Sequence, residues 1–223
     1  PDPADGATDV PVDTNLSWEL GSTCPYLEDF EPGLGAFTID NTYGVGAGLW
    51  HLSEGRGSDT GHSPTHSLYY GQGEGPDGGG NYDAGNTEGV VLSPIIDLTG
   101  ATPPVALSFN YLLGTELSVT YDTAAVELSQ DGEPFQVIAS NNAGGVALAD
   151  PSEGWAPASV DLSAYAGSEI QLRFRFATGD DEANNYEGWY VDDVAVSCGV
   201  PLPMRAAVWD RGPVAPSGAP VSI

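Results

Sequence analysis

The chain contains no lysine, and its five arginines face 32 acidic residues, which gives a formal net charge of −27. Nucleic-acid binding requires clustered basic side chains that displace counterions from phosphates, and an anionic membrane surface makes the same demand. This charge therefore excludes both partners. It favours solubility and the accumulation of divalent cations near carboxylates. A solvated acidic surface suited to saline surroundings explains the same charge without a bound ion.

Long apolar runs are also missing, since no stretch of about 18 residues is apolar enough for a membrane-spanning helix. The chain begins at Pro1, without Met and without a signal-like segment, which predicts a processed product or a fragment. Its 30 glycines and 18 prolines separate short apolar runs, as antiparallel sheets require. We therefore expect an all-β fold, almost free of helix, in one large domain with extensions.

Cysteine is scarce: only Cys24 and Cys198 are present, and they bracket the periodic part of the chain. The first and last strands of a sandwich often lie side by side, so this placement predicts a disulfide. Two buried free thiols are the alternative. A disulfide implies an oxidising compartment, and we therefore expect a secreted protein that is extracellular or held at the cell surface.

Composition divides the chain into three segments. Residues 1–23 are rich in Pro and Asp and end in one strand-like piece, residues 24–198 hold the periodic β pattern, and residues 199–223 form a Pro-rich tail. Extended tails of this kind are ordered only when something ties them down. We expect them to wrap their own domain or to dock on a neighbouring chain, for which strand addition is one route.

Strict alternation of apolar and polar residues marks residues 105–111 and 170–176 as half-buried strands. The predicted inward residues are Val105, Leu107, Phe109, Tyr111, Ile170, Leu172, Phe174 and Phe176. Between residues 125 and 138, two apolar segments flank Asp131-Gly132. This dipeptide supplies the positive φ of a tight turn and predicts a hairpin.

Six sequence blocks resemble those of a known family, in the same order. They are LSPIIDL (92–98), LSFNY (107–111), VELSQDG (126–132), VDLSAYAG (160–167), LRFRF (172–176) and GWYVDDV (188–194). Together they resemble the MAM-type jelly roll and, more narrowly, the jelly-roll domains of secreted bacterial metalloproteases of the immune-inhibitor class and related surface proteins. The resemblance covers about residues 28–198. It implies a jelly-roll β-sandwich of two antiparallel sheets, a fold that serves adhesion, sugar binding, protease accessory roles and assembly.

The last block places two aspartates in one strand. Alternation assigns Tyr190, Asp192, Val194 and Val196 to one face and Val191, Asp193 and Ala195 to the other, so one aspartate faces inward unless a bulge intervenes. A buried carboxylate requires a metal, an arginine or several N–H donors.

The resemblance implies a structural calcium ion at this strand, with carboxylates from the first strand approaching the last one. The implied ligands are Glu28, Asp29, Glu31, Asp59, Asp192 and Asp193, completed by backbone carbonyls. The alternative is an ion pair from Asp192 or Asp193 to Arg173 or Arg175.

Other motifs do not support catalysis or a second metal. Pro64 separates His62 from His66 and breaks the helix on which such a pair would bind zinc, and residues 180–191 lack the glycine and final glutamate of an EF-hand loop. No serine lies in a Gly-x-Ser-x-Gly elbow.

The aromatic residues divide into two groups. Trp50, Trp155 and Trp189 occupy strand-like segments and are predicted to be core. Tyr82 and Tyr186 lie in Gly- and Asn-rich loops and are the candidate ligand-binding residues.

These observations favour a non-catalytic extracellular adhesion or structural module, which associates with copies of itself or with other extracellular proteins through its tails and builds a surface structure or filament. The alternative is a carbohydrate-binding or substrate-positioning accessory domain of a secreted protease. A glycosidase is the third hypothesis, since 32 acids guarantee some close carboxylate pairs.

Overall fold

A computed structural model describes residues 24–199, apart from positions 117, 119, 143 and 150–153. The predicted N-terminal segment 1–23 and nearly all of the predicted tail 199–223 therefore lie outside the described residues.

The described chain forms twelve strands and one short 3-10 helix, Ser163–Tyr165. The strands are β1 Tyr26–Glu28, β2 Thr38–Asp40, β3 Trp50–Ser53, β4 Ser67–Tyr70, β5 Glu88–Asp97, β6 Val105–Gly114, β7 Thr123–Gln130, β8 Gln136–Ser140, β9 Val146–Ala147, β10 Ala156–Asp161, β11 Glu169–Ala177 and β12 Gly188–Cys198. Within these residues no helix is long and apolar enough to cross a membrane.

The strands form two sheets that pack face to face. The first sheet has the order β10-β6-β12-β4-β3, with β1 also paired to β12, and the second has the order β2-β5-β11-β7-β8-β9. All pairs are antiparallel except the two-residue pair of β8 and β9. The predicted all-β sandwich is confirmed.

Alternation decides which side chains enter the core. In β11, Ile170, Leu172, Phe174 and Phe176 are buried while the residues between them are more exposed, as predicted. The predicted hairpin is also present: β7 and β8 are joined through Asp131 and Gly132, whose φ angles are +50° and +80°. Asp and Gly tolerate this left-handed conformation better than other residues.

One apolar core fills the space between the sheets. Trp50 and Trp189 lie at its centre with ring centres 5.4 Å apart, and Phe174 packs against Trp189. The prediction that Trp50 and Trp189 are core residues is confirmed. Trp155 instead packs on the outer face of the first sheet, against a second cluster formed by Tyr69, Leu112 and Tyr190. We call this second cluster the outer aromatic layer.

The disulfide joins the two ends of the described domain. Cys24 and Cys198 are bonded with their Cα atoms 6.0 Å apart and a sequence separation of 174 residues. The bond forms because β1 pairs with β12, with Tyr26 opposite Val196. The prediction that the first and last strands lie side by side is confirmed, and the alternative of two free thiols is wrong.

Candidate functional site

The closing strand β12 contains a β-bulge at its aspartate pair. Its register against β6 shifts between Asp192 and Ala195, and Asp193 has a φ of +52°. The extra residue reverses the alternation beyond it, so that Val194 faces the core while Asp192 does not. The prediction that Tyr190, Asp192, Val194 and Val196 share one face is therefore wrong.

Asp192 is completely buried on the outer side of the first sheet, and its partner is a histidine. His62 Nδ1 lies 2.9 Å from Asp192 Oδ2, and His62 Nε2 lies 3.0 Å from the carbonyl oxygen of Arg56. Both ring nitrogens thus face oxygen atoms that accept hydrogen bonds when Asp192 is ionised, an arrangement that a doubly protonated imidazolium satisfies. The ring stacks on Trp155 at 4.0 Å, and neither the His62 nor the Asp192 side chain is exposed. The structure thus buries two titratable side chains next to each other.

The charge state of His62 follows from these contacts. Burial lowers the pKa of His62. This effect is outweighed by the hydrogen bonds to Asp192 and to the Arg56 carbonyl, and by the negative charges of Asp192 and Asp193, all of which raise the pKa. The net pKa of His62 lies above its ordinary value. These contacts therefore favour the imidazolium, whereas burial raises the pKa of Asp192 above its ordinary value in spite of the hydrogen bonds that Asp192 accepts from His62, Asp193 and Ser63.

Asp193 is held by donors from two other segments. Its Oδ2 accepts hydrogen bonds from the Ser63 backbone N–H at 2.9 Å and from Asn110 Nδ2 at 2.7 Å. The alternative of arginine pairing is wrong, because Arg173 and Arg175 lie on the second sheet. They bond there to Glu127 and Glu88.

The acidic residues near the first strand are held by several different partners. Glu28 and Asp29 accept from the N–H groups of Phe30 and Glu31, Glu31 accepts from the His66 N–H, and Asp59 pairs with Arg56. Ser63 Oγ also donates to the Asp29 carbonyl at 3.3 Å, which links that segment to Asp193.

The structure does not gather the six predicted calcium ligands around one point. Among the described residues, no three His, Cys, Asp or Glu side chains converge as a metal would require. Asp192 is engaged by His62 and Asp59 by Arg56. Asp29 and Asp193 both contact Ser63, Asp29 through its backbone carbonyl and Asp193 through its side chain, so a calcium ion at this point would take most of its ligands from backbone carbonyls. Calcium binding stays a prediction.

Calcium removal tests this prediction. If Asp193 helps to hold a calcium ion, chelation is expected to lower the melting temperature, and Asp193→Ala is expected to abolish that sensitivity because the remaining ligands are mostly neutral. The measurement is a thermal melt with EDTA and with added calcium, with Asp77→Asn, an exposed acid, as the control. An identical melt in both solutions would contradict calcium binding.

Tyr82 is not available to a ligand, so its prediction as a ligand-binding residue is wrong. The loop folds inward because the Tyr82 ring packs on Phe176 at 5.1 Å, and the residue is fully buried. Its hydroxyl donates a 2.6 Å hydrogen bond to Asp122, which is also fully buried. Tyr186 is 41% exposed, and ligand binding there stays a prediction.

The buried Asp122 predicts a stabilising substitution. Burial raises the pKa of Asp122 to about 6, above its ordinary value of 3.8. The folded protein therefore favours the protonated form of Asp122. The stabilisation that this form provides is complete below pH 3.8 and is lost as the pH rises through about 6.

Asp122→Asn removes this buried charge while leaving an acceptor for Tyr82. At pH 8 we expect the free energy of unfolding to rise by about 2 kcal/mol over the wild type, and the gain to vanish near pH 4. Urea unfolding at both pH values measures this, with Asp77→Asn as control. An unchanged stability at pH 8 would contradict it.

The outer face of the second sheet carries an arginine–aromatic patch that sequence reasoning did not identify. Arg173 lies with its guanidinium carbon 4.0 Å from the ring centre of Phe135 and 5.1 Å from that of Tyr43, and its Nε donates to Glu127. Arg175 lies two residues further along β11 and donates to Glu88. We call this surface the arginine face. The sequence feature that could have indicated this surface is the alternation of Arg173 and Arg175, which places both on one face of the strand.

Comparison with known proteins leaves the family open. No protein-family model matches the chain. A stretch of 43 residues, 19% of the chain, is 46% identical to Bacillopeptidase F of Bacillus subtilis (strain 168), and the chain spans 3% of the length of that protein.

Two solved structures align with most of the chain at low identity. The K3 cleaved adhesin domain of Lys-gingipain from Porphyromonas gingivalis w83 has a TM-score of 0.45 and 19% identity, over 77% of this chain and 98% of that chain. The carbohydrate-binding module CBM27-1 of Caldicellulosiruptor saccharolyticus, in complex with mannohexaose, has a TM-score of 0.45 and 15% identity, over 79% of this chain and 98% of that chain. Function must therefore be argued from the residues of this chain.

Proposed function

We propose that this chain is a non-catalytic module of an extracellular protein and that it binds carbohydrate on the arginine face. The observation that carries the proposal is the stack of Tyr43, Arg173 and Phe135, which places two partly exposed aromatic rings beside a fixed guanidinium. The Cys24–Cys198 disulfide supports an extracellular location.

The chemistry of the arginine face suits a sugar. A pyranose has an apolar face that packs on an aromatic ring and hydroxyl groups that bond to planar polar side chains. Arg173 keeps 15% of its side chain exposed, and its hydrogen bond to the buried Glu127 fixes the orientation of the guanidinium. Such preorganisation lowers the entropy that binding must overcome.

The buried polar groups support a binding role without catalysis. Asp122 and Asp192 have no exposed surface, and each is held by a hydrogen-bonded partner inside the fold, Tyr82 or His62. A glycosidase requires two carboxylates that flank a substrate in an open cleft. Asp122 and Asp192 serve the folded structure instead.

A glycan array followed by calorimetry on the full chain tests the proposal, with mannohexaose as one defined probe. Phe135→Ala is expected to weaken the binding of any glycan hit at least about tenfold, which matches the loss of one stacking contact. Tyr121→Ala, which removes an exposed tyrosine elsewhere, is the control. Absence of binding with and without calcium, or equal binding by Phe135→Ala, would overturn the proposal.

The adhesive role through the tails remains a prediction, because residues 1–23 and 200–223 lie outside the described residues. It predicts that a chain trimmed to residues 24–198 loses any assembly that the full chain shows. Light scattering of both chains measures this outcome.

A further inference from the structure

A cleft of about 360 Å³ opens beside strand β3, at the end of the first sheet. Its lining includes Leu52, Ser53, Gly55, Glu74 and Pro76. Leu52 and Pro76 provide apolar walls, while Glu74 provides a carboxylate. No aromatic or arginine side chain is among the described residues that line it. We call this the Glu74 cleft.

The Glu74 carboxylate is held rigidly. Its Oε1 accepts a 2.7 Å hydrogen bond from Ser53 Oγ and lies 2.7 Å from His51 Nε2. Burial raises the pKa of Glu74, but the hydrogen bonds from His51 and Ser53 outweigh it and hold this pKa below its ordinary value. The cleft therefore presents a fixed negative charge at neutral pH, and Glu74 keeps 14% of its side chain exposed.

Gly55 keeps the cleft open. A Cβ atom at this position would lie 2.8 Å from Glu74 Cγ and 3.0 Å from the Tyr190 hydroxyl oxygen. That hydroxyl is buried. Any larger residue at position 55 would have to displace Glu74 or Tyr190. The shape of the cleft thus depends on a glycine between two polar side chains.

These features select a basic side chain as ligand. Apolar walls accommodate the methylene stem of arginine or lysine, and a fixed carboxylate receives its charged end. An anion is repelled by Glu74, by the exposed Glu54 on the rim and by the net charge of −27. A sugar would lack an aromatic ring on which to stack.

The chain carries a segment with this chemistry. Residues 199–223 contain Arg205 and Arg211 but only one acid, Asp210, in a chain that is otherwise strongly acidic. Ser53 of β3 pairs with Ser67 of β4, and the next residue of β4, Leu68, pairs with Val191 of β12. The cleft therefore lies two strands across from β12 and about six residues before Cys198. With the usual spacings of residues and strands, it is about 20 Å along the sheet from Cys198 and about 10 Å across it. Gly199 is still hydrogen-bonded to Thr102 at the far end of the sheet. Since an extended chain covers about 3.4 Å per residue, the backbone of Arg205 falls just short of the cleft, whereas Arg211 reaches it with slack.

We propose that the Glu74 cleft binds an arginine side chain of the C-terminal segment, residues 199–223, of the same chain. This site is separate from the arginine face, and the proposal does not depend on carbohydrate binding. It would give the tail a defined docking point on the sandwich.

Trypsin tests the proposal directly, because the chain has no lysine and the protease cleaves only after arginine. The full chain is digested briefly, together with a labelled synthetic peptide of residues 199–223, and cleavage after Arg205 and Arg211 is followed by mass spectrometry. We expect one of these bonds to be cut at least about tenfold more slowly in the chain than in the peptide. Glu74→Gln is expected to remove this protection, and equal rates in the wild type and Glu74→Gln would overturn the proposal.

Controls separate the cleft from general effects. Glu133→Gln, in the exposed turn before β8, is expected to leave protection unchanged. If circular dichroism shows that Glu74→Gln is misfolded, a competition experiment on the wild type takes its place. Excess unlabelled peptide of residues 199–223 is expected to displace the tail and to restore cleavage after Arg205 and Arg211. The same peptide with citrulline in place of arginine is expected to leave the tail protected. Equal competition by both peptides would overturn the proposal. Protection that stays constant on dilution supports docking within one chain. Protection that falls on dilution would show that the tail of a second copy occupies the cleft and would overturn the proposal.

Discussion

Replacing Cys24 and Cys198 together by serine is expected to lower the free energy of unfolding by up to about 5 kcal/mol. The disulfide closes a loop defined by a separation of 174 residues, and the entropy that a cross-link removes from the unfolded chain grows with loop length. Residual structure in the unfolded chain reduces this figure. Because domains of this size are only marginally stable, the double variant is expected to unfold at much lower denaturant concentration.

Guanidinium chloride unfolding of the oxidised wild type, the reduced wild type and the double serine variant measures this effect. The last two are expected to agree, since both lack only the cross-link. A midpoint that does not move on reduction would show that pairing of β1 with β12 alone holds the ends of the domain together.

Replacing His62 by alanine is expected to cost about 3–5 kcal/mol, because it leaves the buried Asp192 carboxylate without its cation. The cavity left beside Trp155 adds to this cost. His66→Ala is the matched control. His66 is partly exposed, and its ring lies 3.5 Å or more from its two acidic neighbours.

A double variant distinguishes charge from packing. Asp192→Asn in the His62→Ala background removes the unpaired charge and is expected to recover part of the lost stability. Urea unfolding of the wild type, His62→Ala, Asp192→Asn and the double variant gives the coupling energy between His62 and Asp192. If His62→Ala costs no more than His66→Ala, Asp192 either takes up a proton or has another counter-charge in solution. Rescue of His62→Ala by added calcium would identify that charge.

Much of the fold could be predicted from local sequence. The alternation in residues 170–176 and the Asp131-Gly132 turn are local properties, since a strand exposes every second residue and a tight turn requires positive φ. These predictions are confirmed in β11 and in the hairpin of β7 and β8. The pairing of the two cysteines was predictable for a different reason, because the chain contains no others.

The candidate site was less predictable because its contacts are long-range. His62 meets Asp192 across 130 residues, and no local pattern reports such a contact. Tyr82 lies in a loop whose composition suggests exposure, yet packing on Phe176 buries it. The bulge at Asp193 shifts every later residue of β12 by one position, which periodicity alone does not reveal.

Sequence by itself determined the all-β class, the inward faces of its regular strands, the cross-link between its ends and the acidic surface, because these follow from composition, period and position. Sheet order decided the rest. β11 lies between β5 and β7, so Arg175 and Arg173 meet Glu88 and Glu127, while β12 lies in the opposite sheet and its aspartates meet His62 and Ser63. Which charges pair depends on which strands become neighbours, and that is a property of the folded chain alone.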